Sequence, residues 1–551
     1  MTPGAPGAVP LTELPLVESL RADLDRSGLT VEAVEGLLGP VASAALHREQ
    51  RLPALREVDR AAGTGSHAVA TLVRLFVLGG EVTRVALDAA LPGTGTQGCA
   101  QLGLVGAAGQ GRADAVRARV DLRPYAAADA AGSVNWWLTS DLGELATGAA
   151  VHPDHVLGVG GASTTLAQVT VRDRRRRTLD LGTGCGIQAL HATRHSDLVV
   201  ATDISRRALA FTAFNAALAG LDGPGLDLRR GSMLEPVTGP LDEPFDLVVS
   251  NPPFVITPRG GPGGAADSPG VPHFEYRDGG RAGDDLVRDL VQGMGRVLAP
   301  GGVAQLLGNW EHRRGEDWRE RVGSWAQASG LDAWVVQRDV QDPAEYAETW
   351  LRDGGTTAER DPAGWEAGYL AWLDDFAARG VEAVGFGFVL LRRPSTGRAT
   401  LRRVEEVTGP VRQPLGAHLA AALAGHDWLE ARDDDALGAA RLVVAADVTE
   451  ERYLVPGAGD PSVVLLRQGE GFGRAVQAGT ALAGLVGACD GELAVGQIVA
   501  GVAAILDVPV VELRSELLPQ VRDLVRDGLL RPDTGVSSLP DPGPSSLTVG
   551  G

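Results

Sequence analysis

Lysine is absent: all 50 basic residues of this 551-residue chain are arginine. With abundant alanine, glycine, valine and leucine, that bias fits a GC-rich coding sequence and carries no mechanism. Cysteine is almost as scarce. Cys99, Cys185 and Cys489 lie far apart, which excludes a disulfide framework and zinc-ligand spacing. Cys185 falls inside a glycine-rich turn and reads as a small filler rather than a nucleophile. No apolar run reaches the roughly 18 residues that span a bilayer. The first ten residues lack the basic stretch and apolar core of a secretory signal. A cytoplasmic protein without membrane or metal partners is therefore expected. Positive charge is also in deficit, with a net charge of −20. Nucleic-acid-binding proteins usually carry a basic footprint, because phosphate neutralisation supplies much of their affinity. The one local candidate, Arg174-Arg175-Arg176-Arg177, directly precedes an apolar strand and reads as a solvated strand entry.

The most informative segment is Phe245-Asp246-Leu247-Val248-Val249-Ser250-Asn251-Pro252-Pro253-Phe254. Its apolar run reads as a buried parallel strand, and the two prolines stop it. A carboxamide, a proline carbonyl with no partner inside the strand and an aromatic face are thereby placed at the strand's carboxyl end. In open α/β sheets ligands bind there. The chemistry such a group suits is attack by a planar nitrogen, whose lone pair is delocalised. Two fixed acceptors, the Asn251 side-chain oxygen and the Pro252 carbonyl, can grip the two N–H bonds and favour the pyramidal geometry that attack needs. Phe254 can stack on the planar group. This is catalysis by orientation and preorganised electrostatics.

A second motif, Thr178-Leu179-Asp180-Leu181-Gly182-Thr183-Gly184-Cys185-Gly186, runs from a short strand through alternate glycines into a helical stretch over 187–193. Glycine permits a tight turn and close backbone approach to a ligand. A second apolar strand over 198–202 ends at Asp203. That acid lies 21 residues after Gly182, close to the spacing of a ribose-binding carboxylate.

Together the two motifs resemble the class I S-adenosylmethionine-dependent methyltransferases of the small-domain branch. That branch includes release-factor glutamine methyltransferases and several ribosomal and transfer RNA N-methyltransferases. The likeness runs over about 156–307 and less clearly to 391. It implies that Gly182, Gly184 and Gly186 pass under the methionine part of the cofactor. It also implies that Asp180 approaches the cofactor's amino group and that Asp203 holds the ribose hydroxyls. Ser232 and Met233 match the loop beside the adenine, where the family commonly has an acid. Phe214-Asn215-Ala216 matches an Asn-Ala pair common in the helix after the ribose acid. The segment 158–166 resembles the one packed over the methionine moiety; read from its residues alone, it is a glycine-rich loop capping a helix at Ser163 or Thr164. Asn251-Pro252-Pro253-Phe254-Val255-Ile256-Thr257-Pro258 resembles the signature of archaeal and eukaryotic release-factor glutamine methyltransferases.

The expected fold is α/β: a Rossmann-like, seven-stranded methyltransferase sheet flanked by a mainly helical N-terminal domain and a winged-helix-like C-terminal domain. Residues 1–115 read as the helical or winged-helix-like accessory domain. Residues 116–395 read as the catalytic domain, its front part through Trp136-Trp137-Leu138 over the cofactor cleft. Residues 396–533 open with irregular charged sequence containing Asp433-Asp434-Asp435, then show helices over 478–486, 495–505 and 511–527 and a short strand over 528–532. Residues 534–551 read as a disordered tail. The glycine-rich stretch 260–283 reads as a substrate lid. Seven of the ten tryptophans fall between Trp310 and Trp372, a pattern that suits buried helix and strand faces better than a base-stacking platform.

The expected function is S-adenosylmethionine-dependent N-methylation of a protein side chain, such as a glutamine of a release factor or a residue of a ribosomal protein. A ribosomal or transfer RNA amino group is the alternative. A cofactor-binding regulator without catalysis is the third.

Overall fold

The computed structural model describes residues 9–533 apart from 49, 62–66, 130–131, 261–265, 268–270, 272 and 458. The chain divides into two compact units, Met1–Thr408 and Gly409–Gly551.

In the first unit the unbroken apolar runs become inner strands of one mixed sheet, as parallel strands covered on both faces require. Its strands are β1 (Arg175–Leu181), β2 (Ser196–Asp203), β3 (Leu226–Arg230), β4 (Phe245–Ser250), β5 (Leu298–Arg313), β6 (Asp332–Gln341), β7 (Val381–Arg392) and β8 (Arg402–Glu406). They lie in the order β8-β6-β7-β5-β4-β1-β2-β3. β7 runs antiparallel to both neighbours, and every other pair is parallel. The sheet therefore has eight strands rather than the expected seven. The extra one, β8, lies beyond residue 395 and pairs with β6.

Seven helices accompany the sheet: α1 (Gly161–Val169), α2 (Ile187–Thr193), α3 (Arg206–Ala219), α4 (Asp285–Gly293), α5 (Trp318–Ser329), α6 (Pro343–Asp353) and α7 (Pro362–Arg379). α1 starts after Gly160, which takes the cap position expected of Ser163 or Thr164; neither of those side chains caps the helix. One core gathers Leu179, Val248, Leu290, Met294, Trp310 and Trp325. Trp334 and Trp372 are buried as well, while Trp350 and Trp365 are half-buried. The tryptophan-rich stretch is mostly core.

A second core joins Leu190, Phe211 and Phe214 to Leu20, Leu24, Leu72 and Phe76 of the N-terminal region. That region orders helix His67–Leu72, strand Val82–Thr83, helices Arg84–Ala90 and Gly95–Gln101, and strands Val105–Ala107 and Ala115–Ala118. The three strands form an antiparallel sheet with Ala115–Ala118 in the middle. The hairpin of Asp121–Asp129 and Gly132–Ser140 follows. It was expected over the cofactor cleft; its end at Thr139 bonds Asn215, whose amide also reaches the Cys185 carbonyl of the glycine turn, while its indoles turn to the helices. Trp136 packs on His191 of α2 at 5.1 Å, and the Trp137 indole donates to the Leu29 carbonyl at 2.7 Å. Two bulky indoles find apolar cover on the helical side, which the open edge of a sheet does not offer. Among the described residues no single helix is long and apolar enough to cross a membrane.

The second unit holds helices Thr480–Gly487, Val495–Leu506 and Val510–Arg526 near the expected places. Strand Arg441–Val444 lies between Asp490–Ala494 and Leu530–Pro532. The stretch expected to be irregular contains helix Gly416–Glu430. Asp434 and Asp435 pair with Arg522 and Arg514 at 2.8 and 2.6 Å. Arg526 pairs with Asp523, so the arginines of the last helix are neutralised within the unit. The expected tail, 534–551, lies outside the described residues.

Candidate functional site

Leu181 of β1 stands beside Thr202 of β2 and Ser250 of β4. The residues that follow, Gly182, Asp203 and Asn251, therefore leave the sheet from one row at its carboxyl edge. Neighbouring strands are about 4.8 Å apart, so the three span roughly 10 Å. Strand order reverses at β1, and connections diverging there leave the crevice in which open α/β sheets bind ligands. A Cβ on Gly182 would stand 4.0 Å from the Asn251 carbonyl oxygen, so the two sequence motifs meet. The buried Ser250 hydroxyl donates to the Leu181 carbonyl at 2.7 Å and ties the two strand ends together.

The three glycines of the turn all have positive φ, 76°, 57° and 90° in chain order. Their surroundings differ. A Cβ on Gly184 would meet nothing within 4 Å, whereas one on Gly186 would stand 2.9 Å from Thr212 Cγ2 and 3.1 Å from Thr212 Cα. Gly186 lets α3 approach the turn, while Gly184 borders open space. Gly186 thus carries a packing role beside the place under the cofactor expected of it.

Asp203 closes the turn. Its Oδ2 accepts the Gly184 N–H at 3.0 Å and its Oδ1 the Ser205 N–H at 2.8 Å. Each oxygen keeps a lone pair for a further donor. Burial holds this carboxyl above the usual carboxylate range. Asp180, expected to approach the cofactor's amino group, is engaged from the side of the loop through Oδ2. It is 1% exposed and sits beneath the turn, accepting the Thr183 hydroxyl at 2.7 Å and the Ala189 N–H at 2.9 Å. Burial pushes its pKa up to about 7. Its place is that of a brace for the loop. Cys185 is buried, with its thiol pushed up to about 11 by burial, as a filler rather than a nucleophile would be.

The Gly231 N–H donates to the Asp203 carbonyl at 3.0 Å, which brings the next loop alongside. There Ser232 is exposed. Met233 takes a left-handed φ of 48° and packs partly on the core. A non-glycine residue in that region is uncommon and costs about 1–2 kcal/mol. Open space at Gly184, spare acceptors on Asp203 and an adjoining loop fit an adenosine-bearing cofactor.

At the end of β4, Asn251 is half-buried, and its side chain has no hydrogen-bond partner among the described residues. The Pro252 carbonyl was expected to have no partner inside the strand. It accepts the Phe254 N–H at 2.8 Å, because the prolines fold the chain into a tight turn, and one lone pair remains. Pro253 is half-buried. Phe254 is half-buried too, packs partly against two cores and bridges Asp278.

Within the expected lid, residues 261–265, 268–270 and 272 lie outside the described residues. Residues 273–278 form a pinned strap. The Val255 N–H donates to the Arg277 carbonyl and the Glu275 N–H to the Pro153 carbonyl, both at 2.9 Å. The buried Arg277 guanidinium donates to Asp353 at 2.8 Å and to the Trp350 carbonyl at 2.7 Å. A cavity of about 530 Å³ adjoins this strap, lined by Pro153, His273, Phe274, Gly354, Thr356 and Asp361 among others.

Asn215 is fully buried with all its polar capacity directed at neighbours. Its amide donates to the Thr139 and Cys185 carbonyls and accepts from the Thr139 N–H and hydroxyl, at 2.7–2.9 Å. It fixes the glycine turn to the hairpin strand. Two further residues escaped sequence reasoning. Arg207 of α3 pairs with Asp141, which also accepts the Val156 N–H, and Tyr346 stands behind the Asn251 loop. Three of the four arginines of the run pair with acids, Arg174 with Asp197, Arg175 with Asp173 and Arg176 with Glu243, and Arg177 lies over the Phe245 ring at 5.1 Å.

Comparison with known proteins adds three matches to family profiles. Residues 154–259 match the methyltransferase small domain. Residues 26–119 and 420–532 match two domains of unknown function, DUF7059 and DUF7782. The release factor glutamine methyltransferase of Deinococcus radiodurans is 38% identical over 139 residues, 24% of this chain and 46% of the relative. That of Xylella fastidiosa is 36% identical over 178 residues, 30% of this chain and 56% of the relative. The chain thus spans about half the length of the curated relatives it matches. Among solved structures, the ribosomal protein L11 methylase from Lactobacillus delbrueckii subsp. bulgaricus is 21% identical, with a TM-score of 0.20, covering 31% of this chain and 67% of that one.

Proposed function

We propose, on the premise that residues 154–259 are a methyltransferase small domain, that this protein is a class I S-adenosylmethionine-dependent N-methyltransferase. Its acceptor is a planar amide nitrogen of a protein side chain, such as a release-factor-type glutamine. The observation that carries the reading is the row of Gly182, Asp203 and Asn251 at the reversal point of the sheet. S-adenosylmethionine, when bound, supplies an electrophilic methyl group on a sulfonium centre. Asp203 holds the ribose hydroxyls with its remaining lone pairs, Gly182 and Gly184 let the backbone come close, and Asp180 keeps the turn in shape from below. Ser232 and Met233 border the adenine.

The Asn251 side-chain oxygen and the free lone pair of the Pro252 carbonyl accept the two N–H bonds of the acceptor nitrogen. They orient its lone pair along the line of attack and stabilise the charge that develops there. Phe254 offers the part of its ring not committed to packing. The proton leaves to solvent after transfer, so no general base is required. The protein is cytoplasmic in this reading.

A polypeptide acceptor is supported by the two release factor glutamine methyltransferases and by the acid pairing of Arg174, Arg175 and Arg176. An RNA amino group is the second reading. It is favoured by the N-terminal order helix, strand, helix, helix, strand, strand, which we take as winged-helix-like. The C-terminal unit is winged-helix-like too, with strand Arg441–Val444 in the place of a wing strand. The test is transfer of tritiated methyl from S-adenosylmethionine into cell extract, followed by protease or ribonuclease. Label lost to protease alone supports the protein acceptor, and label lost to ribonuclease supports RNA. Cofactor binding without any incorporation replaces both with a regulator.

A further inference from the structure

The loop that carries Asn251 leaves the sheet with little to hold it. Pro252 and Pro253 have no N–H, and the Phe254 N–H is used inside the loop on the Pro252 carbonyl. Two anchors reach outward from the backbone of the next two residues. The Val255 N–H donates to the Arg277 carbonyl of the strap. The Ile256 N–H donates to the Tyr346 hydroxyl at 2.9 Å. Tyr346 is therefore the one side chain that holds this loop by a hydrogen bond to its backbone among the described residues.

Several features make the hydroxyl a fixed post. Tyr346 lies on α6, 90 residues away in sequence from Ile256, in the helical pair inserted between β6 and β7. It has no exposed surface. Its ring is boxed by Trp372, Phe376, Phe386 and Trp350, with centroids 5.4, 5.5, 5.6 and 6.0 Å away. A second donor, the amide of the buried Asn309, reaches the same oxygen at 2.8 Å. Asn309 lies on β5, beside the strand that ends in Asn251. Burial raises the phenol pKa, so the group stays neutral and keeps both contacts across the working pH range. A backbone N–H buried here without an acceptor is costly, so the loop has one favoured seat.

We propose that Tyr346 is a positioning residue for methyl transfer: its hydroxyl, through the Ile256 amide, sets where Asn251 and the Pro252 carbonyl meet the acceptor nitrogen. This rests on the acceptor reading of the Asn251 loop. The inserted pair α6 and α7 thereby becomes part of the architecture that seats the Asn251 loop.

The test uses the full chain and the acceptor identified from extract. Tyr346→Phe is expected to lower kcat by roughly 10- to 100-fold, the scale of a small misplacement of reacting groups. Cofactor affinity by calorimetry should stay within about twofold. Hydrogen exchange in peptides spanning 251–258 should accelerate. Phe76→Leu, in a different core from the aromatic box, should lower the thermal midpoint while leaving kcat as it is. A Tyr346→Phe protein that loses thermal stability but keeps its kcat overturns the proposal. Should that variant not fold, Asn309→Ala, which releases the second partner of the hydroxyl, should lower kcat by a smaller factor, and an unchanged kcat there overturns the proposal as well. Asn251→Ala, assayed in parallel, separates the two readings. If it turns over like the wild type, the acceptor reading fails; if it is inactive while Tyr346→Phe is fully active, only the positioning role fails.

Discussion

Asn251 and Asp203 border the crevice and Asp180 lies beneath the glycine turn, and their different degrees of engagement assign them different roles. Asn251 has no partner among the described residues, so its loss should be felt in the transition state alone. Asn251→Ala is expected to cut turnover by roughly 100-fold or more with unchanged cofactor affinity, as single-turnover rates and calorimetry would show. Asn251→Asp should be milder, because one acceptor oxygen survives. Asp203 is already held by two backbone amides. Asp203→Ala should weaken S-adenosylmethionine binding by about 1–3 kcal/mol, and an unchanged dissociation constant would place the ribose elsewhere. Asp180 gives a pH signature. Burial holds its folded pKa at about 7, above the ordinary carboxylate value near 4. The folded state keeps a proton that the unfolded chain has released. The stability this confers is complete below the ordinary value and is lost as pH rises toward 7. Asp180→Asn cannot ionise, so its thermal midpoint should rise relative to the wild type between about pH 5 and pH 8. Parallel melting curves of the two proteins would run counter to this assignment.

At the scale of elements, the glycine turn separates ligand approach from helix packing. Gly184→Val should leave a folded domain that no longer binds cofactor, since the added atoms enter the crevice. Gly186→Ala should instead lower stability by about 1–3 kcal/mol, because its Cβ meets Thr212 on α3 and its φ of 90° disfavours a side chain. Thermal melts and binding isotherms of the two variants tell the cases apart. The turn itself was legible in the sequence: the helix after it runs over Ile187–Thr193, as the pattern indicated. An unbroken apolar strand, glycines and a helical stretch are local signals, and they were enough to set Gly182, Asp203 and Asn251 at strand ends. What was not legible depended on partners distant in sequence. Asp180 reads as a ligand from its motif, and its part as a brace comes from Thr183 and Ala189, which close over it. The helix Gly416–Glu430 was missed because glycine and alanine dilute its apolar stripe. Tyr346 carried no local signal at all.

For the whole molecule, the boundary between units falls after Thr408, not at 395. β8 gives the edge strand β6 a parallel partner over five residue pairs. A chain ending at 408 should melt cooperatively and bind S-adenosylmethionine. One ending at 395 should melt lower and aggregate on warming, because β6 becomes an unpaired edge. Calorimetry and light scattering on the two truncated proteins would show it, and equal midpoints would remove β8 from the sheet's stability.

The burial of tryptophan also decides what light can report about this protein. Nine of the ten indoles lie in the first unit, and Trp428 is the sole one in the second. Intrinsic emission is thus dominated by the β5–β7 side of the sheet, where Trp310, Trp325, Trp334 and Trp372 sit in apolar surroundings. The half-buried Trp428 adds a minor component from the second unit. In Trp428→Phe protein, every change in emission colour during denaturation belongs to the unit that carries the glycine turn.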